Sequence, residues 1–332
     1  MNKLVISAAL AAIALLAASC GGTSEANGGG GGSSKLSLAA YSTPREAYAE
    51  LIPAFAKTPE GEGVSITQSY GSSGEQSRAV ESGLPADVVA FSLAPDVTRL
   101  VEAGIVAEDW ASGDHDGMVT DSVVVFAVRK GNPKGIETWD DLLRDDVDVI
   151  TPNPFTSGGA RWNVMAAYGA QLKQGKSKDG AVQYLRDLFA NVSVQDKSAR
   201  ESLQTFSSGK GDVLIAYENE AITAQQAGQP LEYVIPDQTI LIENPVAVTK
   251  DAPEQAAAFV DFLRTPEAQK VFAEKGYRPV LPDLLDEERY PTPQTLYTID
   301  DLGGWDAVTS EFFDREDGIF AAIQRELGEP TE

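Results

Sequence analysis

Four segments of the chain place small polar residues directly before a predicted helix: 41–46, 71–76, 156–162 and 197–201. The first turn of a helix presents unpaired backbone N–H groups and a partial positive charge. Gly, Ser and Ala allow a ligand to approach those groups closely, so such loops can bind an oxyanion. Ser and Gly are also ordinary capping residues, so one loop alone carries little weight. Four of them in one chain favour an anion site without naming the anion.

Two of these loops match the capping box, in which a Ser is followed three residues later by an acid. Ser72 precedes Glu75 at this spacing, and Ser198 precedes Glu201. The pattern predicts structural roles for both acids. The loops 72–74 and 157–159 themselves contain no acid.

Three arginines fall in the first turn of predicted helices, where a cation opposes the helix dipole. They are Arg45, Arg161 and Arg200. One interpretation is that they are surface residues paired with local acids. The other is that each holds a loop carbonyl or acid and so supports the anion site indirectly.

Strand and helix patterns alternate from about residue 36 onward, which indicates an α/β protein. The apolar run 123–128 is typical of a central strand in a parallel sheet. This run and 245–249 lie where a two-lobed protein would cross between its lobes. We therefore expect one lobe from 35–122 together with 243–332, and a second lobe from 123–242.

The N-terminal segment resembles a lipoprotein signal peptide over residues 1–20. Lys3 precedes an apolar run at 5–18, and small residues lead to Cys20, the only cysteine. We expect Cys20 to be acylated and residues 21–34 to form a flexible Gly/Ser-rich tether. An ordinary secretory signal is the alternative. Either interpretation places the remainder of the chain outside the cytoplasm.

Composition excludes several classes of function. The chain has 26 Lys and Arg against 50 Asp and Glu, a net charge of −24, which disfavours nucleic acid as a partner. One His and one Cys leave no Ser–His or Cys–His pair and no His-based metal cluster. We expect no metal, no cofactor and no enzymatic activity. An enzyme acting on an oxyanion ester or transferring sulfur is the distant alternative.

Longer motifs resemble the sulfate-binding proteins of ABC importers, also called sulfate/thiosulfate substrate-binding proteins, from about residue 36 to the end. The matching stretches lie at 71–74, 86–89, 128–134, 150–154, 157–163, 211–220, 277–279, 298–300 and 303–305. The resemblance implies a two-lobed periplasmic-binding-protein fold of type II, with a mixed sheet flanked by helices in each lobe. It implies capture of sulfate in the cleft between the lobes. It further implies a monomer that delivers sulfate to the permease and ATPase subunits of an importer.

The resemblance also implies the residues that bind the anion. Backbone N–H groups would come from Ser42, Ser73, Gly158, Gly159 and Ala199, and hydroxyl groups from Ser157 and Tyr217. The first loop departs from the family, because Ser42 replaces an Asp and the following proline is shifted to Pro44.

Tyr217 stands where the family usually has a Trp whose indole N–H donates to the anion. A Tyr hydroxyl donates at a different reach and can also accept, so thiosulfate, molybdate, tungstate and phosphate stay open as ligands. A site made only of donors suits sulfate, whereas the P–OH of hydrogen phosphate would oppose a buried donor at a cost of ~1–3 kcal/mol. If neutral donors alone hold the anion, the affinity of the protein for sulfate should not change between about pH 5 and 8.

Overall fold

The computed structural model describes residues 34–331, in which strands and helices alternate. The strands are β1 (Lys35–Tyr41), β2 (Ser65–Gly71), β3 (Val88–Ala90), β4 (Met118–Arg129), β5 (Val149–Pro152), β6 (Val192–Asp196), β7 (Val213–Tyr217), β8 (Leu231–Val234), β9 (Gln238–Val248), β10 (Arg278–Pro279) and β11 (Thr295–Tyr297). The helices are α1 (Arg45–Phe55), α2 (Ser73–Glu81), α3 (Ala94–Glu102), α4 (Gly158–Lys173), α5 (Lys178–Ala190), α6 (Ala199–Ser207), α7 (Glu218–Gln226), α8 (Glu254–Leu263), α9 (Pro266–Glu274), α10 (Gly304–Phe313) and α11 (Ile319–Leu327). Short 3-10 helices lie at Trp139–Leu143, Pro282–Leu284 and Asp300–Leu302.

The strands pair in the order β2-β1-β3-β9-β4-β7-β5-β6, with β8 and β10 also on β4 and β11 on β9. β1, β2 and β3 are parallel, as are β5, β6 and β7. The long strands β4 and β9 join the two parallel sets. Residues 120–123 of β4 pair with β9, and residues 124–128 pair with β7.

The apolar run at 123–128 lies in a central strand, as its composition predicts, and every residue of it is buried. The expectation of a parallel neighbourhood for this run is wrong. β4 is antiparallel to β7, β8 and β9. A strand covered on both faces needs apolar side chains on both faces whatever the direction of its neighbours, so composition reports burial and not direction.

Four apolar clusters cover the faces of the sheet. α1, α8 and α9 pack on one face of β1 and β3, and residues of α2 and α3 pack on the opposite side. On the other half, α6 and α7 cover one face. α4 and α5 lie on the remaining face, and α4 is buried along most of its length, which explains why its sequence is apolar on nearly every side.

The C-terminal helices belong to the same apolar cluster as α4 and α5. Phe312, Phe313 and Phe320 pack with Phe155 and Tyr168 there. Phe155 contacts Phe313 with ring centroids 6.5 Å apart, and Tyr168 contacts Phe312 at 4.7 Å. The acid-rich C-terminal tail therefore contains α11, which buries one face.

Two predictions fall outside the described residues. These are the signal peptide with Cys20 and most of the tether, since the description begins at residue 34. Within 34–331, no helix combines the length and apolar character needed to cross a bilayer.

Candidate functional site

A small cavity lies where the carboxyl ends of the two parallel strand sets meet. β1 ends at Tyr41, β2 at Gly71 and β7 at Tyr217, and all three residues line the cavity. Ser42, Thr43, Ser72, Ser73, Ser92, Ser157, Gly159, Ser198 and Ala199 complete the lining, and the space open to the centre of a water-sized sphere is about 10 Å³. Ligand sites in open α/β sheets commonly lie beyond the carboxyl ends of strands. None of these lining residues carries a charge.

Three helices begin at or beside the cavity, so the unpaired backbone N–H groups of their first turns lie close to it. Ser73 is the first residue of α2, Gly158 and Gly159 are the first two of α4, and Ala199 is the first of α6. The first N–H groups of a helix have no partner within the helix. The loops predicted to form an anion cradle therefore converge on one neutral cavity with a positive field from three helix dipoles.

Gly158 lies beside this cavity, where the loop between β5 and α4 packs against the loop between β3 and α3. A Cβ atom at position 158 would overlap Leu93 Cδ2 and Ser92 Oγ, and it would lie 3.2 Å from Ser73 Cβ. A Cβ at Gly159 would instead meet its neighbours at 3.4–3.6 Å, which is ordinary contact. The glycine at 158 is thus required by space, because any side chain would push the β5–α4 loop away from the β3–α3 loop.

Three residues that line the cavity have buried hydroxyls without a well-formed hydrogen bond: Tyr217, Ser92 and Tyr41. The Tyr217 hydroxyl lies near the side chains of Ser92 and Asn244, and the Tyr41 hydroxyl lies near Tyr277 and Thr120, away from the cavity lining. Ser157 is the N-cap residue of α4, yet its hydroxyl makes no capping bond. A buried hydroxyl without a partner costs free energy, so these groups are suited to donate to a bound acceptor. Burial also raises the pKa of Tyr217 well above its ordinary value, which keeps its proton in place.

The side chain of Ser73 is already occupied. Its hydroxyl donates to Asp96 Oδ2 at 2.5 Å and accepts from the Ser92 N–H at 3.0 Å. Only the backbone N–H of Ser73 is left for a ligand, as the resemblance implies. The two bonds also hold the start of α2 to the start of α3.

The two predicted capping boxes differ in the structure. Ser198 caps α6, because its hydroxyl accepts from the Glu201 N–H at 3.2 Å. At α2 the prediction is wrong, because the Ser72 hydroxyl donates to Glu75 Oε2 at 2.8 Å and makes no bond to a helix N–H. The carboxylate competes successfully for the hydroxyl, and the N–H groups at the start of α2 remain without a side-chain cap.

Arg200 connects the first and fourth loops. Its guanidinium donates to both carboxylate oxygens of Glu46 at 2.8 and 2.6 Å, and to the carbonyls of Ser42 and Thr43 at 3.5 and 3.3 Å. Arg161 donates to the Pro154 carbonyl at 3.0 Å. Both arginines therefore hold loops in place, which is the second of the two interpretations of their position.

One acid lies close behind the cavity. Glu220, in the first turn of α7, is buried, and its Oε1 lies 3.5 Å from the hydroxyl of the lining residue Thr43. Burial raises the pKa of Glu220 to about 7, although the charge of Arg200 opposes the shift. No loop motif signals this titrating group, because Glu220 belongs to α7, the helix after Tyr217, and approaches the cavity from behind its lining.

Six of the seven anion-binding residues expected from the sequence line the cavity: Ser42, Ser73, Ser157, Gly159, Ala199 and Tyr217. Gly158 lies against the same wall, in a small neighbouring cavity that it shares with Ser157. Ser92 and Tyr41 were missed. Their sequence signal was available, since Tyr41 ends a strand and Ser92 lies just after one, as the recognised residues do. Cys20 lies outside the described residues, and among those described no group of His, Asp and Glu is arranged to hold a metal.

Known proteins resemble this chain over most of its length. Residues 36–278 match the family of bacterial extracellular solute-binding proteins. The sulfate-binding protein of Synechococcus elongatus is 42% identical over 88% of this chain and 87% of its own. The thiosulfate-binding protein of Pseudomonas aeruginosa is 36% identical over 86% and 90%. The solved structure of the sulfate-binding protein SubI from Mycobacterium tuberculosis is 44% identical, with a TM-score of 0.82 over 85% of this chain and 100% of that one.

These comparisons confirm the resemblance stated from the motifs and the predicted two-lobed α/β fold. The mixed sheet flanked by helices on both faces is the arrangement that was expected. The chain belongs to the family of bacterial extracellular solute-binding proteins.

Proposed function

We propose that this protein captures sulfate outside the cytoplasm and delivers it to an ABC importer. The observation that carries the proposal is the neutral cavity at the starts of α2, α4 and α6, which is also lined by Tyr217 and Ser92, whose buried hydroxyls make no well-formed hydrogen bond in the described chain. Such a cavity offers many donors and no lining charge. Sulfate has no proton at neutral pH and only accepts hydrogen bonds, so its chemistry matches this set. Relatives named as sulfate-binding proteins support the same choice.

The proposed contacts are the residues inferred from the sequence. Backbone N–H groups of Ser42, Ser73, Gly158, Gly159 and Ala199 and hydroxyls of Ser157 and Tyr217 would surround the anion. We add the Ser92 hydroxyl, because it is buried, unpartnered and part of the same wall. Thiosulfate is the second candidate, because a thiosulfate-binding relative is 36% identical.

Calorimetric titration of sulfate-free protein with sodium sulfate tests the proposal. We expect one saturable site per chain, displaced by neither chloride nor nitrate. Absence of a saturable signal, with the fold intact by circular dichroism, would contradict it. Turnover of aryl sulfates or thiosulfate at the rate of the buffer alone is also expected, because we propose a binding protein and not an enzyme.

The affinity for sulfate should depend on pH through Glu220. A dianion beside a carboxylate favours the protonated acid, so binding raises the pKa of Glu220 further. Affinity should be full below about pH 6 and should fall as pH rises through about 7, by at most about tenfold per pH unit for one linked proton. Glu220→Gln should give the flat profile that the lining residues alone predict.

Glu243→Gln is the matched control for that profile. Burial raises the pKa of Glu243 too, but this residue lies in β9 and does not line the cavity. Its replacement should leave the pH dependence of sulfate affinity in place. A wild-type profile that is flat from pH 5 to 8 would show that the Glu220 charge is not coupled to the bound anion.

We propose that the protein is held at the membrane by a lipid on Cys20, with residues 21–34 as a tether. Cys20→Ala should move the protein from the membrane fraction to the soluble fraction, while sulfate affinity stays unchanged. Ser19→Ala, which leaves the cysteine in place, is the control and should remain membrane-bound. An unmodified Cys20 in the intact mass of the native mature protein would contradict the anchor.

The importer's permease and ATPase subunits are the proposed partners, and the protein would act as a monomer. We propose lobes of 35–122 with 243–332 and of 123–242. With these bounds, α10 and α11 of the first lobe would pack beside α4 and α5 of the second. The C-terminal segment also contacts the long strands, since β10 pairs with β4 and β11 pairs with β9.

A further inference from the structure

A second concave site, lined by four arginines, lies outside the anion cavity. Arg78 of α2, Arg99 of α3, Arg161 of α4 and Arg315, which follows α10, surround a groove of about 770 Å³. This volume lies within the range of small-molecule sites, about 300–1,000 Å³. The concentration of basic residues is unusual in a chain with a net charge of −24.

These guanidinium groups have few partners. Among the described residues, the side chains of Arg78, Arg99 and Arg315 make no hydrogen bond, and the buried Nε of Arg99 is unpartnered. The acid nearest to Arg99 is Glu81, at 4.0 Å. Thr309 adds a buried hydroxyl without a partner on the same wall. Unpaired donors at a concave surface are what a site for an anion requires.

The arginines also repel one another. Burial lowers the pKa of Arg78, the charges of Arg99 and Arg315 lower it further, and the acids Asp96 and Glu75 oppose the shift. Burial lowers the pKa of Arg161 to about 10; the charge of Asp96 opposes this shift, and the charges of Arg99, Arg78 and Arg315 add to it. The protein therefore holds like charges together in a partly desolvated groove, and a multiply charged anion would relieve that repulsion.

The four acids that line the groove form no ion pair with its arginines, although the charges of Asp96 and Glu75 act on Arg78. Glu102, Asp306, Asp314 and Glu316 also line it, but none lies within 4.0 Å of its arginines as an ion pair. The Asp314 carboxylate accepts from the backbone N–H groups of Glu316 and Asp317, both at 2.9 Å. These acids would disfavour an extended acidic partner and restrict the site to a compact anion.

We propose that this groove binds a small, multiply charged anion bearing phosphate or carboxylate groups, at a site separate from the sulfate cavity. Arginine suits such groups because its planar fork can donate two parallel hydrogen bonds to each. Arg78 and Arg161 also line the small cavity that contains Ser157 and Gly158. An anion in the groove would therefore contact the outer side of the loop whose inner side faces the sulfate cavity.

The test uses the full mature protein saturated with sulfate, so that the sulfate cavity is already filled. Pyrophosphate and citrate are titrated separately by calorimetry at constant ionic strength, which distinguishes phosphate from carboxylate recognition. We expect one further saturable site for at least one of them. The double variant Arg99→Gln with Arg315→Gln should weaken this binding by about tenfold or more, while its sulfate affinity is unchanged.

Arg289→Gln is the matched control, since it removes the same charge at a residue that packs on Tyr290, away from the groove. It should bind the probe as the wild type does. The proposal is overturned if neither anion gives a saturable signal. It is equally overturned if the double variant binds the probe anion as tightly as the wild type, or if Arg289→Gln loses as much affinity for that anion as the double variant.

Discussion

Gly158→Ala should weaken sulfate binding by on the order of a hundredfold, equivalent to about 3 kcal/mol, the upper end of what overpacking commonly costs. The added methyl group would overlap Leu93 Cδ2 and Ser92 Oγ. Leu93 is fully buried and cannot move aside without disturbing the start of α3. The loop carrying Ser157 and the N–H groups of α4 would then stand too far from the opposing loop to share one anion with it.

Gly180→Ala is the control for this prediction. Gly180 also lies in the first turn of a helix, α5, and its added Cβ would meet only Ser177 Oγ at 3.4 Å and Lys176 Cβ at 3.6 Å. Its sulfate affinity should equal that of the wild type. Calorimetry gives the sulfate affinities. Thermal unfolding in the absence of sulfate shows whether a variant that binds weakly is still folded. Wild-type affinity in Gly158→Ala would mean that the close approach at 158 is not part of the bound state.

Removing the hydroxyl of either Ser157 or Tyr217 should weaken sulfate binding about tenfold to hundredfold. A hydroxyl bonded to a charged acceptor contributes about 1.5–3 kcal/mol. Ser157→Ala removes a hydroxyl that caps no helix, so α4 should keep its stability. Tyr217→Phe keeps the buried ring and removes a hydroxyl that makes no well-formed hydrogen bond in the described chain, although Ser92 and Asn244 lie near it. The backbone donors remain in both variants, so binding should weaken and not vanish.

Tyr217→Trp extends this series, because it restores the residue that the sulfate-binding family usually has. It should keep or improve sulfate affinity if the pocket has room for an indole. The Gly159 backbone lies close to the ring, since a Cβ at 159 would be 3.6 Å from Tyr217 Cε1. Tyr290→Phe is the control hydroxyl deletion, at a Tyr that bonds the Ala273 carbonyl and does not line the cavity. Unchanged affinity in both Ser157→Ala and Tyr217→Phe would show that the proposed contacts are wrong.

The sequence predicted most of the elements that position the site, because each strand or helix start has a local signal. The apolar run 123–128 lies within β4, and the loops 156–162 and 197–201 contain the starts of α4 and α6. Strand direction was not predictable from composition. The antiparallel pairing of β4 depends on partners more than 80 residues away in sequence, such as Ile215 opposite Phe126. The apolar composition of the strand indicates its burial and does not indicate the direction of these partners.

The loop residues of the site were predictable from the sequence, whereas the acid that lies behind the cavity lining was not. Ser42, Ser73 and Ala199 lie where motif and helix start coincide, whereas Glu220 reaches Thr43 across 177 residues of sequence. Its raised pKa arises from tertiary burial, which no local pattern encodes. The hydroxyl of Ser72 shows the same limit on a smaller scale, since the capping-box spacing is present but the hydroxyl bonds the Glu75 side chain.

Competition between sulfate and phosphate at pH 8 tests most directly the central claim, that the cavity is a set of donors for a fully deprotonated tetrahedral anion. Hydrogen phosphate keeps one proton at this pH, and its P–OH would oppose a buried donor at a cost of about 1–3 kcal/mol. We predict that sulfate binds at least about tenfold more tightly than phosphate, and that Glu220→Gln preserves this preference. Phosphate binding as tight as sulfate binding, lost in Glu220→Gln, would contradict the claim and identify Glu220 as the acceptor of a ligand proton.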